Sequence, residues 1–225
     1  MQKQQYQQIL ESIGEQTTLV AVSKLQSVES IMQLYNLGHR DFGENYVQEL
    51  IEKQLLLPKG IRWHFIGHLQ SNKIKYIAPF IHLIQSVDSF KLLMEIDRQG
   101  KKQNRVIDCL LQLHIASETT KFGLNEQELS ELVNGLSKAN ELNELLNIRI
   151  VGLMGMGSFS DDPEEVGAEF KYLAALYDKY SVDKTPHFHV KYLSMGMSSD
   201  YQLALEEGSN MVRIGSLLFG HRKKI

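Results

Sequence analysis

The chain has 225 residues, 43% of them hydrophobic and 23% charged, and a net charge of −3. That length admits one large α/β domain or two small ones, and the near-neutral charge gives no general attraction to nucleic acid or anionic membrane. The single cysteine excludes an intramolecular disulfide and a cysteine-based metal cluster. The amino terminus is glutamine-rich, without a basic start and apolar core, and no apolar stretch approaches about 18 residues. The expected location is cytoplasmic.

Gln2 to Ser12 has helical propensity and predicts an extra helix, at about residues 2–13, lying across one end of the fold. From Leu19 onward, strand and helix patterns alternate. Leu19–Lys24 is a short apolar run, read as a buried strand, and Ser27 to Tyr35 an amphipathic helix closed by Gly38. His39–Asn45 is a second strand, followed by a helix over Tyr46–Leu57 that Pro58 stops. Arg62–Leu69 is a third strand, then a short helix over Ser71–Phe80 with Ser71 as its cap. His82–Val87 and the helix Phe90–Gly100 follow, then the strand Val106–Ala116, in which Cys109 reads as inert core. Glu126–Leu146 is a helix, Ile148–Met154 the sixth strand, and Pro163–Tyr180 a helix with Asp161 or Asp162 and then Pro163 at its start. His187–Ser194, a helix over Asp200–Glu207 closed by Gly208, and an eighth strand, Met211–Phe219, complete the pattern. The basic tail from His221 to Lys224 reads as a solvated terminus.

Eight strands, each but the last followed by a helix, predict a single (β/α)8 TIM barrel over residues 1–225. A doubly wound open sheet is the alternative, but it would want a glycine-rich phosphate loop after its first strand, where this chain has Leu-Gln-Ser. No repeat or linker marks a second domain.

In such a barrel, functional groups gather at the carboxyl ends of the strands. Val20, Val22 and Lys24 share one strand parity, so the lysine continues an apolar face and ends it on a charge. It is either a lysine snorkelling to the surface or a Schiff-base lysine kept partly neutral by its surroundings. Glycine- and serine-containing turns follow the last two strands, in Leu-Ser-Met-Gly-Met-Ser198 and Val-Arg-Ile-Gly-Ser216. Such turns suit a phosphate held on backbone N–H groups and hydroxyls, although glycine and serine also favour turns for conformational reasons alone. A phosphate site facing a strand-end lysine suggests a phosphorylated sugar in an aldolase, or pyridoxal 5′-phosphate (PLP).

The motifs Ala-Val-Ser-Lys24, Phe-Gly-Glu-Asn45, Trp-His-Phe-Ile-Gly-His-Leu-Gln-Ser-Asn-Lys73, Leu-Ser-Met-Gly-Met-Ser198 and Val-Arg-Ile-Gly215 occur in this order from about Leu19 to Arg222. As a set they resemble the pyridoxal phosphate homeostasis proteins, whose barrel is that of the amino-terminal domain of alanine racemase. The resemblance implies a Schiff base between PLP and Lys24, with Ser194, Gly215 and Ser216 holding the phosphate and Arg213 facing the pyridine nitrogen. Asn45, Met154, Met195 and Gly196 are the further cofactor-binding positions. Gly-Met follows Met154 where the family more usually has Thr or Ala, which bears on the pocket wall. An arginine at the ring nitrogen disfavours the pyridinium form and so weakens the ring as an electron sink. The racemases of this fold take a second base from a carboxyl-terminal domain, and none is expected here. The implied function is a monomeric PLP carrier that supplies apo-enzymes, without robust turnover and without nucleic acid or membrane partners. The rival readings are a PLP-dependent amino-acid racemase and, more distantly, a Schiff-base aldolase.

Other candidates have plainer readings. His64 with His68, and His187 with His189, share strand parity, but no carboxylate or cysteine joins either pair at ligand spacing, so no metal site is expected. Parity turns Glu44 away from the side that Asn45 faces, which makes Glu44 structural. Lys121 is an exposed loop lysine, with a contact to a ligand phosphate or carboxylate as the alternative. The methionines Met154, Met156, Met195 and Met197 are pocket wall and core filler.

Overall fold

A computed structural model describes residues 3–118, 121–141, 145–182, 184–185 and 187–220. The basic tail and Thr119–Thr120 lie outside the described residues. Nine strands form one sheet: β1 (Thr18–Val22), β2 (Asp41–Glu44), β3 (Arg62–Phe65), β4 (Leu83–Val87), β5 (Ile107–Leu113), β6 (Ile148–Gly155), β7 (Lys184–Thr185), β8 (Phe188–Ser194) and β9 (Met211–Ile214). All but β7 pair in parallel, each with its neighbour, and the circle closes through β6 on β8 and β9 on β1. The two-residue β7, missing from the sequence pattern, folds back antiparallel on β8. The predicted eight-stranded parallel barrel is therefore present, with one strand appended.

Helices α1 (Lys3–Ile13), α2 (Val28–Asn36), α3 (Val47–Leu56), α4 (Ile74–Ile77), α5 (Phe90–Lys102), α6 (Glu126–Glu141), α7 (Pro163–Ser181), α8 (Tyr201–Glu206) and α9 (Ser216–Phe219) surround it. Local chemistry sets several starts. The Ser27 hydroxyl accepts from the Ser30 N–H at α2, Ser89 accepts from Leu92 at α5, and Asp162 accepts from Glu164 at α7, where Pro163 occupies the first turn. Each such cap stabilises by about 1 kcal/mol. Ser71 is not a cap: it opens a one-turn 3-10 segment, Ser71–Lys73, that leads into α4.

Alternation along the strands divides the apolar residues into two layers. Leu19 and Ala21 of β1 face outward into the large cluster between sheet and helices, whereas Val20 faces inward with Leu83, Leu110, Val151, Met154 and Met211. Helix α1 adds Tyr6, Ile9 and Ile13 to the outer cluster and touches α9. Its Tyr6 and Leu10 also reach the cavity at the barrel mouth that holds Asp41, His64 and His82.

The expected eighth strand is corrected. The strand runs only to Ile214, after which Gly215 turns the chain and Ser216–Phe219 form a helical turn. The apolar Leu217, Leu218 and Phe219 extend the run in sequence, yet they pack in the outer layer as a helix does. The first strand likewise ends at Val22, so Lys24 stands just beyond it.

Candidate functional site

At the carboxyl ends of the strands lies a hollow of about 430 Å³. Val22, Lys24, Phe159, Met197, Ser198, Ser199, Arg213, Gly215 and Ser216 line it. Lys24 and Arg213 come from adjacent strands, since Val20 of β1 stands in register with Arg213 of β9. Four of the nine expected cofactor-binding residues, Lys24, Arg213, Gly215 and Ser216, thus meet at one hollow.

The backbone around Lys24 is clamped by charges that sequence reasoning did not connect to it. Lys53 of α3, its side chain only 7% exposed, donates to the Ser23 carbonyl at 2.6 Å, to Glu44 at 2.8 Å and to Glu49 at 2.7 Å. The Ser23 hydroxyl donates to the same Glu44 oxygen at 2.6 Å, and the Leu25 N–H donates to Glu49. Both residues flanking Lys24 are therefore tied to one ion cluster. Leu25 is held at φ 60°, a left-handed conformation that costs an L-residue about 1–2 kcal/mol. Burial pushes the Glu44 carboxyl above the usual carboxylate range, against the opposing pull of Lys53. The one hint in the sequence was Glu49 four residues before Lys53, the favourable helical ion-pair spacing. Glu44 points outward, away from the barrel interior.

Beside Lys24, the β8 and β9 ends form a double turn. Gly196 adopts φ +92°, and a Cβ there would stand 2.6 Å from that of Ala204, so only glycine fits. Its carbonyl accepts from the Arg213 N–H, and Ser198 accepts from the Gly215 N–H at 3.2 Å. The first bonds within α9 come from the Leu218 and Phe219 N–H groups. The rim thus offers serine hydroxyls and early-turn backbone, a set suited to an anion.

Arg213 is 3% exposed, and its Nη1 donates to the Ser194 hydroxyl at 2.7 Å and its Nη2 to the Gly155 carbonyl at 2.8 Å. Burial pulls its pKa down to about 10, still far above neutral, so the guanidinium keeps its charge.

The remaining expected residues stand apart from the hollow. Ser194 is fully buried beneath it, accepting from Arg213 and donating to Gln85 at 2.7 Å. Met154 lies in the inner cluster, and Met195 turns outward while its N–H donates to the Met211 carbonyl. Asn45 lines a separate cavity of about 500 Å³ with Tyr46, His68 and Tyr76. Its Oδ1 is buried without a partner among the described residues. Met197, read from the sequence as pocket wall, and Ser198, in the turn read as suited to a phosphate, do line the hollow; Phe159 and Ser199, in loops after barrel strands, were not anticipated.

Lys121 is neither exposed nor at the hollow. With 11% side-chain exposure it donates to the Gly157 carbonyl and pairs with Glu118 at 3.0 Å, tying together the loops after β5 and β6.

At the opposite end of the barrel, His64 and His82 do meet a carboxylate, brought by β2: ligand-type atoms of Asp41, His64 and His82 lie within 4.8 Å of one another. Sequence spacing could not show this. Both Asp41 oxygens are already engaged, by the Arg62 guanidinium and by His64. Burial would push the Asp41 carboxyl up, but those bonds hold it well below the usual carboxylate range. Asp41 and His64 are thus hydrogen-bonded to protein partners, and His82 meets His64 ring to ring.

The sequence profile of the alanine racemase N-terminal domain matches residues 2–223 of the chain. The pyridoxal phosphate homeostasis protein of Aquifex aeolicus is 39% identical over 206 residues, covering 91% of this chain and 87% of the relative. The structure of PipY from Synechococcus elongatus, described with PLP bound, superposes with a TM-score of 0.83 at 31% identity, covering 96% of this chain and 99% of PipY. An alanine racemase from Clostridium difficile superposes with a TM-score of 0.75 at 17% identity, over 57% of that enzyme, a likeness of fold alone.

Proposed function

This chain belongs to the pyridoxal phosphate homeostasis protein family, and from that premise we propose that it holds PLP as a Schiff base on Lys24 and serves to store and supply the cofactor. One observation carries the reading: a primary amine, a buried guanidinium, serine hydroxyls and a glycine turn converge on a single hollow. That donor set fits a molecule with an aldehyde, a ring nitrogen and a phosphate. When bound, PLP supplies a carbonyl that condenses with amines and a ring that can accept electron density.

The residues divide the work. Ser198 and Ser216, with the Gly215 turn, hold the phosphate; here Ser194 acts from below, through Arg213, rather than in the cup. Arg213 donates toward the ring nitrogen and, because it stays charged, withholds a proton from it. Lys24 supplies the amine, held in place by the ion cluster that grips Ser23 and Leu25. Asn45 and Met154 belong to the outer reaches of the same proposal. Delivery to apo-enzymes and a monomeric state complete it.

Among the described residues lining the hollow, Lys24 and Arg213 are the only ionisable side chains, and Arg213 stays charged. Racemisation needs a second base on the opposite face of the substrate, and each acid–base group contributes about 10²–10⁴-fold. This supports a holder over a racemase. Purified protein mixed with PLP should show a visible absorption band, and borohydride should fix the adduct on the peptide containing Lys24. Lys24→Ala should lose both, and amino acids in deuterated water should show no inversion above free PLP. An adduct that persists in Lys24→Ala would overturn the attachment, and multiple-turnover inversion dependent on Lys24 would overturn the holder.

A further inference from the structure

We propose that a line of hydrogen bonds through the barrel core, from Asp41 through His64, Gln85 and Ser194, positions the Arg213 guanidinium and gives it Asp41 as a remote counter-ion. What Arg213 faces rests on the function proposed above; the line itself does not.

The five residues come from β2, β3, β4, β8 and β9, and each is at most 8% exposed. Arg213 Nη1 donates to Ser194 Oγ at 2.7 Å, and Ser194 donates to Gln85 Oε1 at 2.7 Å. Gln85 Nε2 lies 3.0 Å from His64 Nδ1, and His64 Nε2 lies 3.1 Å from Asp41 Oδ1. The second Gln85 proton meets the Met211 sulfur at 3.3 Å. No member is left unmatched along the line.

Its direction is forced from both ends. A guanidinium has no acceptor and a carboxylate no donor. Ser194 must therefore accept from Arg213, which leaves its only proton for Gln85. That fixes the Gln85 carbonyl toward the serine and its NH₂ toward His64. Nδ1 must then accept, so the ring proton sits on Nε2 and points at Asp41. Every bond dipole runs the same way, from cation to anion, and aligned hydrogen bonds polarise one another in a low-dielectric core.

The arrangement answers a cost. Among the described residues, the Arg213 side chain donates only to neutral oxygens, those of Ser194 and Gly155, and the Asp200 carboxylate acts on it through its charge alone. A buried cation on neutral partners is expensive. The polarised line lets a charge at the far mouth of the barrel offset it. Arg62 alone could have neutralised Asp41, and apolar side chains could have filled positions 64, 85 and 194; neither would orient the guanidinium.

Two variants separate this from ordinary structural support. Asp41→Asn and Arg62→Gln both break the ion pair at the far mouth, but only the first removes the charge that ends the line. In the cofactor-free protein, ¹⁵N NMR should find His64 as the Nε2–H tautomer. Asp41→Asn should move the Arg213 side-chain resonances, and Arg62→Gln should leave them in place. In the PLP-loaded protein, Asp41→Asn should weaken PLP retention about fivefold, the low end of long-range coupling, and Arg62→Gln by less than about twofold. Ser194→Ala should weaken it about tenfold or more, with Ser194→Thr recovering most of the loss. An Nδ1–H tautomer, or Arg213 resonances that respond alike to both mouth variants, overturns the line whether or not PLP binds. A native protein that passes the NMR test yet fails to retain PLP overturns the proposed function and leaves the line standing.

Discussion

Removing Lys53 tests whether the ion cluster beneath Lys24 is as tightly coupled as its geometry implies. Lys53→Met keeps the stem volume and deletes three hydrogen bonds, to the Ser23 carbonyl, Glu44 and Glu49. The Glu44 side chain is fully buried, and breaking such a pair by removing one partner costs roughly 3–5 kcal/mol. The fold can limit the damage by protonating Glu44, whose ordinary pKa is 4.5. Holding a proton there at pH 7 costs about 3.4 kcal/mol, at about 1.36 kcal/mol per unit. At pH 5 the same protonation costs less than about 1 kcal/mol. The sign follows from linkage: the folded variant keeps the proton while the unfolded chain releases it above its ordinary pKa, so the penalty grows with pH. Urea unfolding should therefore show Lys53→Met destabilised by about 3 kcal/mol at pH 7 and much less at pH 5. Adding Glu44→Gln should recover most of the loss at pH 7, because no buried charge is then orphaned. PLP capture should slow in the single variant, since Ser23 loses its anchor. A pH-independent penalty, or a double variant no more stable than the single one, would refute the coupling.

His39 makes acid sensitivity measurable. Burial pulls its pKa down to about 4, so the folded protein keeps it neutral while the unfolded chain charges below about 6.5. Its stabilising effect is complete above that value and is lost as pH falls toward 4, by roughly 3 kcal/mol. His39→Gln should flatten that part of a denaturation profile; an unchanged slope would assign the acid sensitivity elsewhere. Gly196→Ala, forced to φ +92° with its Cβ 2.6 Å from Ala204, should cost about 2 kcal/mol or more and loosen PLP, because the Gly196 carbonyl holds the Arg213 backbone. A variant with native stability would mean that this turn shifts freely.

The barrel was legible because its signals are local. Apolar runs bounded by helical patterns and turn residues repeat eight times, and the rule that sites collect at strand ends then selects Lys24, Arg213, Gly215 and Ser216. Errors fell where a local signal was ambiguous. Met211–Phe219 is one apolar run, and only the turn at Gly215 and the outward packing of Leu218 divide it into strand and helix. The two-residue β7 is too short to carry a period. The resemblance gives Ser194 to the phosphate, and in the structure its hydroxyl also meets Arg213 and Gln85, partners that no motif names.

Those partners show what kind of information the sequence withholds. Leu83 and Gln85 share a parity, as do Met211 and Arg213, and Leu83 and Met211 face inward, so the inward direction of Gln85 and Arg213 follows once one neighbour is known. What does not follow is which inward group meets which. Ser194 and Gln85 are 109 residues apart in the chain, and their contact depends on the closure of the barrel and on its stagger. A one-residue slip in either pairing would turn the whole face of that strand outward. It would also leave a buried cation, an amide and a hydroxyl without partners, each unmade bond costing about 1–3 kcal/mol. The polar line therefore does more than occupy the core. It penalises wrong registers among five strands at once, and the charge that positions Arg213 at one mouth also helps to fix the register that builds the hollow there.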